Sequence, residues 1–509
     1  MGAVSLPGIV SDASRVAVID LGSNSFRLVV FSSIAGQWWR RSDEIYESVR
    51  IGAGEGETGA LQPAPMERAL HTIEAYAHFC RANGLALEEV QAVATSAIRD
   101  ASNREEFLSR VFEVSGLPVR VLSRDEEARY GYLAAVNSTT LADGAMLDLG
   151  GGSVQVVGVA ARAARELGSW PLGAVRMTEQ FLPGEEPATK KQLKALRAHV
   201  RDTLAEGAGW LEATGERLVG IGGAVRNLAA AAQRRAELPS FGVQGFVLER
   251  ETLAEMTTAE RARVPGIKPE RGDLILAGAT VVEAVLEAGE FAALEVTEAG
   301  LREGIFFERY LAPDELFADV REASVRNLAH QYPIDPPHVE HVAALTLQMH
   351  DALVEQGVLD RDAAERELLW AAAELHDIGM TVDYDDHHKH SRYLILNAAL
   401  PGFTPREVAL IAQMARYHRK GSPGFGELAP LMHEGDDELL VRCSALLRLA
   451  EQLERSRDQL VREARVAIDD GRLRLELVHD GDVSVAAWAA ERQGDLVQRA
   501  FGRDLEIQT

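Results

Sequence analysis

The sequence of 509 residues predicts an α/β protein with two similar halves, followed by an all-helical region and a small α/β region. Two copies of one pattern predict the halves, because an apolar segment, Asp-Leu-Gly and a second apolar segment occur at residues 16–30 and again at 146–157. Predicted strands alternate with predicted helices in both halves, which is typical of α/β domains. From about residue 314 helix follows helix, and from about residue 462 short alternating segments return. The predicted domains are residues 1–138, 139–313, 314–461 and 462–509.

The first half begins with predicted strands in VAVIDL and RLVVFSS, where apolar residues run together or alternate. Residues 64–83 have helical spacing, and Gly84 follows them as a typical helix stop. VQAVA predicts a strand that leads into the segment 95–100, TSAIRD. LPVRVLS predicts the next strand, and a helix is expected to start near Asp125.

The second half, from about residue 143 to 310, contains a third glycine turn at Gly222 and Gly223, between a predicted strand and a predicted helix. VPGIKPERG, from residue 264, is predicted as a loop that leads into a long helix. In the last region, VAIDDGRLRLELV and VSVAAWAA are predicted as short alternating segments, with a closing helix around Asp495–Phe501.

The composition limits the class of protein. Its 46% apolar and 26% charged residues are typical of soluble globular proteins, and its net charge of −25 disfavours a nucleic-acid binder, which is usually basic. No run of about 18 apolar residues is present, so no membrane span is predicted. The first residues lack a signal-peptide pattern, and Cys80 and Cys443 are the only cysteines. A cytoplasmic protein with free thiols is therefore expected.

Glycine-rich turns can present several backbone N–H groups to a phosphate. Two such turns follow predicted strands, at Gly22, Ser23, Asn24 and Ser25, and at Gly150, Gly151, Gly152 and Ser153. An aspartate precedes each turn, Asp20 and Asp148, and such a carboxylate can hold a cation against a bound phosphate. A plain glycine-rich hairpin explains one turn about equally well. The second copy favours two facing phosphate sites.

Several segments, in order, resemble the exopolyphosphatase / guanosine pentaphosphate phosphohydrolase (Ppx/GppA) family: VIDLGSNSFRLVV, ATSAIRDASN, SRDEEARYGYLAA, MLDLGGGSVQVV, VPGIKPERGDLILAG and GLREGIFFERYL. The later run HHKHSRYLILNAALPGFTPREVALIAQMARYHRK resembles the C-terminal half of longer members. The resemblance implies two actin-like domains of the ribonuclease-H type, followed by an all-α HD-like domain and the small C-terminal α/β domain. It also implies removal of terminal phosphate with a divalent cation, Mg²⁺ or Mn²⁺, with K⁺ stimulation, by a homodimer.

The resemblance implies a role for each matching residue. Glu127, the second glutamate of EEAR, is expected to activate the attacking water, and Arg99 to bind phosphate through its planar guanidinium. Asp148 and Asp20 are expected to hold the metal. Structural explanations stay open, because Arg99 could be a surface charge at a strand end and Glu127 could favour the helix dipole.

Further substrate contacts are expected from Gly222, Gly223 and Arg302, which lies in the GLREGIFFERYL motif. Many relatives have a glutamate where this chain has Gln155. A neutral amide predicts weaker metal binding, with the metal held mainly by Asp148, although Gln155 can still orient water or contribute to the metal site.

The helical region contains His338, His376, Asp377 and Glu451, which resemble an H…HD…D metal-binding pattern with Glu in the last position. His387 and His418 could complete a second metal site or belong to a basic groove. Two basic clusters are present, one of His387, His388, Lys389, His390 and Arg392, and one of Arg416, His418, Arg419 and Lys420. They could guide polyphosphate, or they could be solvated helix faces.

The predicted function is an exopolyphosphatase that acts on inorganic polyphosphate. The first alternative is a pppGpp 5′-phosphohydrolase, or a dual activity, with pppGpp or ppGpp as ligand. An ATP-dependent kinase or chaperone on the same fold is less favoured, because Arg226 follows the third glycine turn and Glu127 suits water activation. A polyphosphate or alarmone sensor without turnover is the remaining alternative, and Gln155 makes it worth testing.

Overall fold

The computed structural model describes residues 13–54, 58–183, 188–256, 272–469 and 471–509. The chain divides into two compact units, of which the first ends at Val320 and the second begins at Arg321. Most of the predicted loop VPGIKPERG and the first residues of the chain lie outside the described residues. The borders of the four predicted domains remain a prediction.

The first sheet has five strands in the order β3-β2-β1-β4-β5. Strands β1, β2 and β3 form an antiparallel meander, and β4 and β5 run parallel to β1. This arrangement brings the carboxyl end of β1 next to that of β4. The elements are β1 (Ser14–Leu21), β2 (Phe26–Ile34), β3 (Trp38–Glu47), α1 (Pro63–Ala82), β4 (Gln91–Ala94), α2 (Ser96–Asp100), α3 (Arg104–Ser115), β5 (Val119–Val121) and α4 (Arg124–Val136).

The second sheet repeats this arrangement and adds one antiparallel edge strand, in the order β10-β11-β9-β6-β7-β8. Strands β6, β7 and β8 are the antiparallel meander, and β9 and β11 are the parallel strands. The elements are β6 (Gly144–Leu149), β7 (Val154–Ala160), β8 (Ala163–Trp170), α5 (Ala174–Phe181), α6 (Lys190–Ala205), β9 (Leu218–Ile221), α7 (Gly223–Arg235), β10 (Phe246–Glu249), α8 (Arg250–Met256), α9 (Gly272–Ala288), β11 (Ala293–Val296) and α10 (Leu301–Tyr310).

Helices α4 and α10 join the two sheets. A shared apolar core contains Val18 and Phe31 of the first sheet, Met146 of the second, and side chains of both helices, including Phe306. The helices touch backbone to backbone, since a Cβ atom on Gly304 would lie 1.9 Å from the carbonyl oxygen of Tyr130. The start of α4 is fixed by a capping box, in which Ser123 and Glu126 satisfy each other's backbone N–H groups. The mixed α/β fold predicted from the repeated pattern is confirmed.

The second unit is mainly helical, as predicted, and one apolar core contains residues from its helices and from a three-stranded sheet of order β12-β13-β14. No helix among the described residues is long and apolar enough to span a bilayer. The elements are α11 (Val320–His330), α12 (Pro336–Glu355), α13 (Ala363–Leu375), α14 (His387–Leu396), α15 (Pro405–Tyr417), α16 (Asp436–Leu453), β12 (Val461–Asp469), β13 (Arg472–His479), α17 (Ser484–Glu491), α18 (Gly494–Phe501) and β14 (Asp504–Gln508).

One segment differs from its prediction. VSVAAWAA was expected to alternate like a strand, but it lies in α17. Its buried residues Ala486, Ala489 and Ala490 follow helical spacing, and alanine has the highest intrinsic helix propensity. The closing helix α18 and the β12–β13 hairpin agree with their predictions.

Candidate active site

A cleft of about 200 Å³ opens in the first unit, at the carboxyl ends of β1, β6 and β9. The turn after each of these strands lines it, so the three glycine turns of the sequence meet in one place. The three predicted acids Asp20, Glu127 and Asp148 also line the cleft. The turn residues that line it are Gly22, Ser23, Asn24, Ser25, Gly150, Gly151, Gly222 and Gly223.

The turns pack so closely that two positions require glycine. A Cβ atom on Gly152 would lie 2.5 Å from Oγ of Ser96, which itself lies 3.0 Å from Oγ of Ser23. Gly222 has a φ of +112°, and a Cβ atom there would lie 2.4 Å from the carbonyl oxygen of Leu149. Side chains at these positions would push the turns apart. The second turn therefore packs directly against the first.

The three carboxylates share a crowded, poorly solvated environment. Burial, and then the nearby Glu127 carboxylate, raise the pKa of Asp148 to about 7, although Arg226 opposes both effects. Burial also raises the pKa of Asp20 and of Glu127, against the lowering effect of Arg302 on Asp20 and of Arg99 on Glu127. Because burial and mutual repulsion oppose the ionisation of these three carboxylates, their site is suited to a cation.

Three arginines also line the cleft, Arg27, Arg226 and Arg302. A guanidinium nitrogen of Arg302 lies 3.8 Å from an Asp20 oxygen, and Nε of Arg302 is buried with no hydrogen-bond partner among the described residues. Burial, and then the neighbouring Arg302 and Arg27, lower the pKa of Arg226 to about 10. This local cluster supplies the positive charge that an anionic substrate needs in a chain of net charge −25.

Arg27 and Arg226 were not among the predicted site residues. Arg27 lies directly opposite Asp20 in the β1–β2 ladder, so its side chain points to the same face of the sheet as that aspartate. Arg226 lies in the first turn of α7, behind the third glycine turn. The alternation of side chains in FRLVV could have identified Arg27, and the start of a helix at GGAVR could have identified Arg226.

Arg99 and Glu127 form a nearly buried ion pair beside the cleft. Nη1 of Arg99 donates to Oε2 of Glu127 at 2.7 Å and also to the carbonyl oxygen of Leu122 at 3.2 Å. Nη2 of Arg99 is buried and has no hydrogen-bond partner among the described residues. The guanidinium therefore holds the carboxylate in position and retains one donor group for another acceptor.

Gln155 lies on β7, directly opposite Asp148 on β6, and is almost fully buried. Its side-chain amide donates to Oγ of Ser153 at 2.8 Å. The amide is thus tied to the second glycine turn, next to a predicted metal ligand.

The predicted residues of the second unit separate into two groups. His387 and His418 are buried and lie beside Asp377, together with His338, His376 and Glu451. Of the other basic residues, Lys389 and Lys420 are exposed and both contact Asp386, at 2.6 and 3.2 Å. His390, Arg416 and Arg419 are half-buried. The exposed and half-buried basic residues of these clusters therefore do not include His387 and His418.

Comparisons with known proteins show the family that the chain resembles. The sequence matches the Ppx/GppA phosphatase family over residues 39–312 and domain III of Ppx/GppA phosphatases over residues 320–486. A crystal structure of an Aquifex aeolicus member of the Ppx/GppA family is 31% identical, with a TM-score of 0.50, and the match covers 59% of this chain and 98% of that one. An exopolyphosphatase-like protein is 27% identical, with a TM-score of 0.51, over 58% of this chain and 99% of that one. An exopolyphosphatase from Cytophaga hutchinsonii is 20% identical, with a TM-score of 0.54 over 60% of this chain and 99% of that one, which indicates a shared fold.

Proposed function

The chain belongs to the Ppx/GppA phosphatase family, and from this premise we propose that it is an exopolyphosphatase, which hydrolyses the terminal phosphate of inorganic polyphosphate. The observation that carries the proposal is the cleft in which three carboxylates and three arginines meet glycine turns from both sheets. The exopolyphosphatase-like protein that is 27% identical supports the choice of substrate.

Substrate binding is assigned to the turns and the arginines. Backbone N–H groups of the turns at Gly22–Ser25 and Gly150–Ser153 would donate to terminal phosphate oxygens. Arg302 and Arg226 would balance the negative charge of the chain, and burial makes their charges effective because little water screens them. A polyphosphate end that enters the cleft would thus bring negative charge next to these arginines.

The reaction proposed is direct attack of water on the terminal phosphorus. The water oxygen forms a bond to phosphorus, and the bridging P–O bond to the next phosphate breaks. Glu127 accepts the water proton on Oε1, since Oε2 already accepts from Arg99. A raised pKa makes this carboxylate a stronger base than an exposed glutamate. The shortened polyphosphate leaves with the electron pair of the broken bond on its new terminal oxygen, and the attacked phosphorus is released as orthophosphate.

A divalent cation fits the carboxylate set. Asp20 and Asp148 both have raised pKa values because of burial and because like charges lie nearby, and a cation between them would relieve both effects. We assign Mg²⁺, with Mn²⁺ as a substitute, to Asp20 and Asp148, where it would neutralise charge on the phosphate oxygens. Gln155 offers a neutral amide beside this site in place of a third acid.

The second unit is assigned a supporting role. Its helical part is proposed to be an HD-like domain, and residues 462–509 a small C-terminal domain. Exposed Lys389 and Lys420, with half-buried Arg419, are proposed to attract polyphosphate at the surface of this unit. Homodimer formation, K⁺ stimulation and alarmone binding follow from the family resemblance and remain predictions.

The test is phosphate release by Glu127→Gln, with long-chain polyphosphate and pppGpp assayed in parallel in the presence of Mg²⁺. The matched control is Glu126→Gln on the same helix turn, because glutamine can keep the capping box and Glu126 points to Ser123 and Arg120. Rapid release from polyphosphate, lost in Glu127→Gln and kept in Glu126→Gln, would support the proposal. Release mainly from pppGpp would assign the alternative substrate to the same cleft. Binding of either substrate without release of phosphate would instead support a polyphosphate or alarmone sensor without turnover.

A further inference from the structure

A second concentration of ionisable side chains lies in the C-terminal unit, which contains none of the residues assigned to the proposed reaction. Four histidines and two acids converge there, and all six are at most 8% exposed: His338, His376, Asp377, His387, His418 and Glu451. They come from five helices or helix ends, since His338 lies on α12, His376 and Asp377 follow α13, His387 begins α14, His418 follows α15 and Glu451 lies on α16.

Backbone contacts fix the tautomers of three histidines. Nδ1 of His376 lies 2.6 Å from the carbonyl oxygen of Ala373, and Nδ1 of His418 lies 2.7 Å from that of Ala415. His387 makes the same contact with Tyr384 at 2.8 Å. A carbonyl oxygen only accepts, so each Nδ1 must carry the proton and each neutral ring must present a lone pair at Nε2. Such carbonyl contacts are the usual way in which proteins orient metal-binding histidines.

These lone pairs point at one another. Nε2 of His387 lies 3.0 Å from Nε2 of His418, an arrangement that two neutral rings with protonated Nδ1 cannot satisfy. Both atoms also face Oδ1 of Asp377, at 3.4 and 3.9 Å. Nε2 of His338 and Nε2 of His376 face one carboxylate oxygen of Glu451, at 3.2 and 3.5 Å, and form no hydrogen bond with good geometry among the described residues. Buried polar atoms that converge without hydrogen bonds are suited to a bound cation.

We propose that this cluster binds a divalent transition-metal ion, held by His376, His387, His418 and Asp377, with His338 as a further ligand. The structure offers two overlapping ligand sets, His338–His376–Asp377 and Asp377–His387–His418, within which all ligand atoms lie within 4.8 Å of one another. Because both sets contain Asp377, its carboxylate can bridge two ions. The proposal is independent of the reaction assigned to the first unit.

The spacing and the donor type agree on the class of metal. With metal–ligand bonds of about 2.1 Å, neighbouring ligand atoms lie roughly 3.0–3.4 Å apart, close to the distances between His387, His418 and Asp377. A set rich in imidazole nitrogen favours zinc, iron, nickel or copper over Mg²⁺ and Ca²⁺, which prefer oxygen. Arg457 donates to Oδ2 of Asp377 at 2.8 Å and would orient this carboxylate from outside the site.

The burial of the ligands suggests what the metal does. All the proposed ligands are buried, three of the histidines are also held by backbone carbonyls, and the set links helices α12 to α16 of the second unit. A closed set of protein ligands is typical of a structural site. We therefore expect the ion to stabilise the helical part of this unit.

The experiment measures metal bound to the purified full-length chain after incubation with Zn²⁺ or Co²⁺ and removal of free ions. We expect at least one equivalent in the wild type, and affinity at least tenfold weaker in His418→Gln and in Asp377→Asn. The matched control is His350→Gln, a buried histidine on α12 that contacts Asp351 and lies outside the cluster. The double variant Asp20→Asn with Asp148→Asn removes the two aspartates of the cleft and should still bind the ion in the second unit.

Two further readouts keep the proposal testable if a variant folds poorly. Co²⁺ bound by imidazole should give visible absorption bands in the wild type, and Zn²⁺ should raise its thermal midpoint, as expected for an ion that binds the folded state. If neither Zn²⁺ nor Co²⁺ is bound, the proposal is overturned. A proton shared between His387 and His418 would then explain their contact. Binding that is unchanged in His418→Gln and Asp377→Asn would also overturn it.

Discussion

Gln155 lies directly across the β6–β7 ladder from Asp148, and its amide donates to Ser153 in the second glycine turn. The first half has the same geometry with different chemistry, because Arg27 lies opposite Asp20. The two halves therefore place a carboxylate at the same position and a non-acidic partner across from it. The charge at the partner position then decides how strongly each aspartate can bind a cation.

Gln155→Glu should strengthen metal binding in the cleft, since a second carboxylate would face the ion from the same ladder. The apparent Kd for Mg²⁺, measured by titrating phosphate release, should fall on the order of tenfold. Without metal the variant should unfold at lower temperature than the wild type, because the new charge is buried beside Asp148. Gln155→Met is the neutral control. An Mg²⁺ affinity of Gln155→Glu equal to that of the wild type would separate Gln155 from the metal site.

Asp148 should make the metal-free protein less stable at higher pH. Its pKa is raised to about 7 in the folded chain, whereas an unfolded aspartate titrates near 4. Between these values the folded state binds more protons, so the free energy of unfolding falls as pH rises through about 4 to 7. Asp148→Asn should then be more stable than wild type by about 1–3 kcal/mol at pH 8 and equal to it below about pH 4. Urea unfolding at both pH values measures this, and a difference that is the same at both would contradict the assignment.

Arg99→Gln should shift the pH dependence of hydrolysis as well as slow it. Arg99 lowers the pKa of Glu127, so its removal leaves burial unopposed and raises that pKa further. Glu127 would then become deprotonated only at higher pH, and the acid side of the pH–rate profile should move upward. We expect a loss of about 10²-fold in rate at neutral pH. The control is Arg104→Gln, a half-exposed arginine that contacts the backbone of Arg99. A slower enzyme with an unmoved profile would assign Arg99 to substrate alone.

The sequence predicted the acids of the cleft better than its arginines, and the reason is physical. Asp20 and Asp148 follow a local pattern, a strand followed by a glycine turn, which identifies them without knowledge of the fold. Arg27 and Arg226 have weaker local signals, a strand alternation and a helix start, and their place in the cleft depends on packing, through the register of Arg27 with Asp20 and the position of α7. In the same way, the sequence left a second metal site and a basic groove open for His387 and His418, and the structure buries both against Asp377. Short-range patterns indicate turns and strands, whereas burial depends on contacts between residues far apart in sequence.

Gly152→Ala should weaken polyphosphate binding and hydrolysis together, because the added methyl group would lie 2.5 Å from Oγ of Ser96 and 3.1 Å from its Cβ. The turn from the second sheet would have to move away from the first, which changes the spacing of the two phosphate sites. We expect a loss of about tenfold or more in activity, since small displacements of binding groups are costly.

The double variant Gly152→Ala with Ser96→Gly removes both close contacts and should recover part of that loss. Ser96→Gly alone is the control for the lost hydroxyl contact with Ser23. Recovery in the double variant would assign the defect to contact between the turns. A double variant as inactive as Gly152→Ala would instead mean that the methyl group obstructs the phosphate itself, because the space that it occupies then belongs to the substrate.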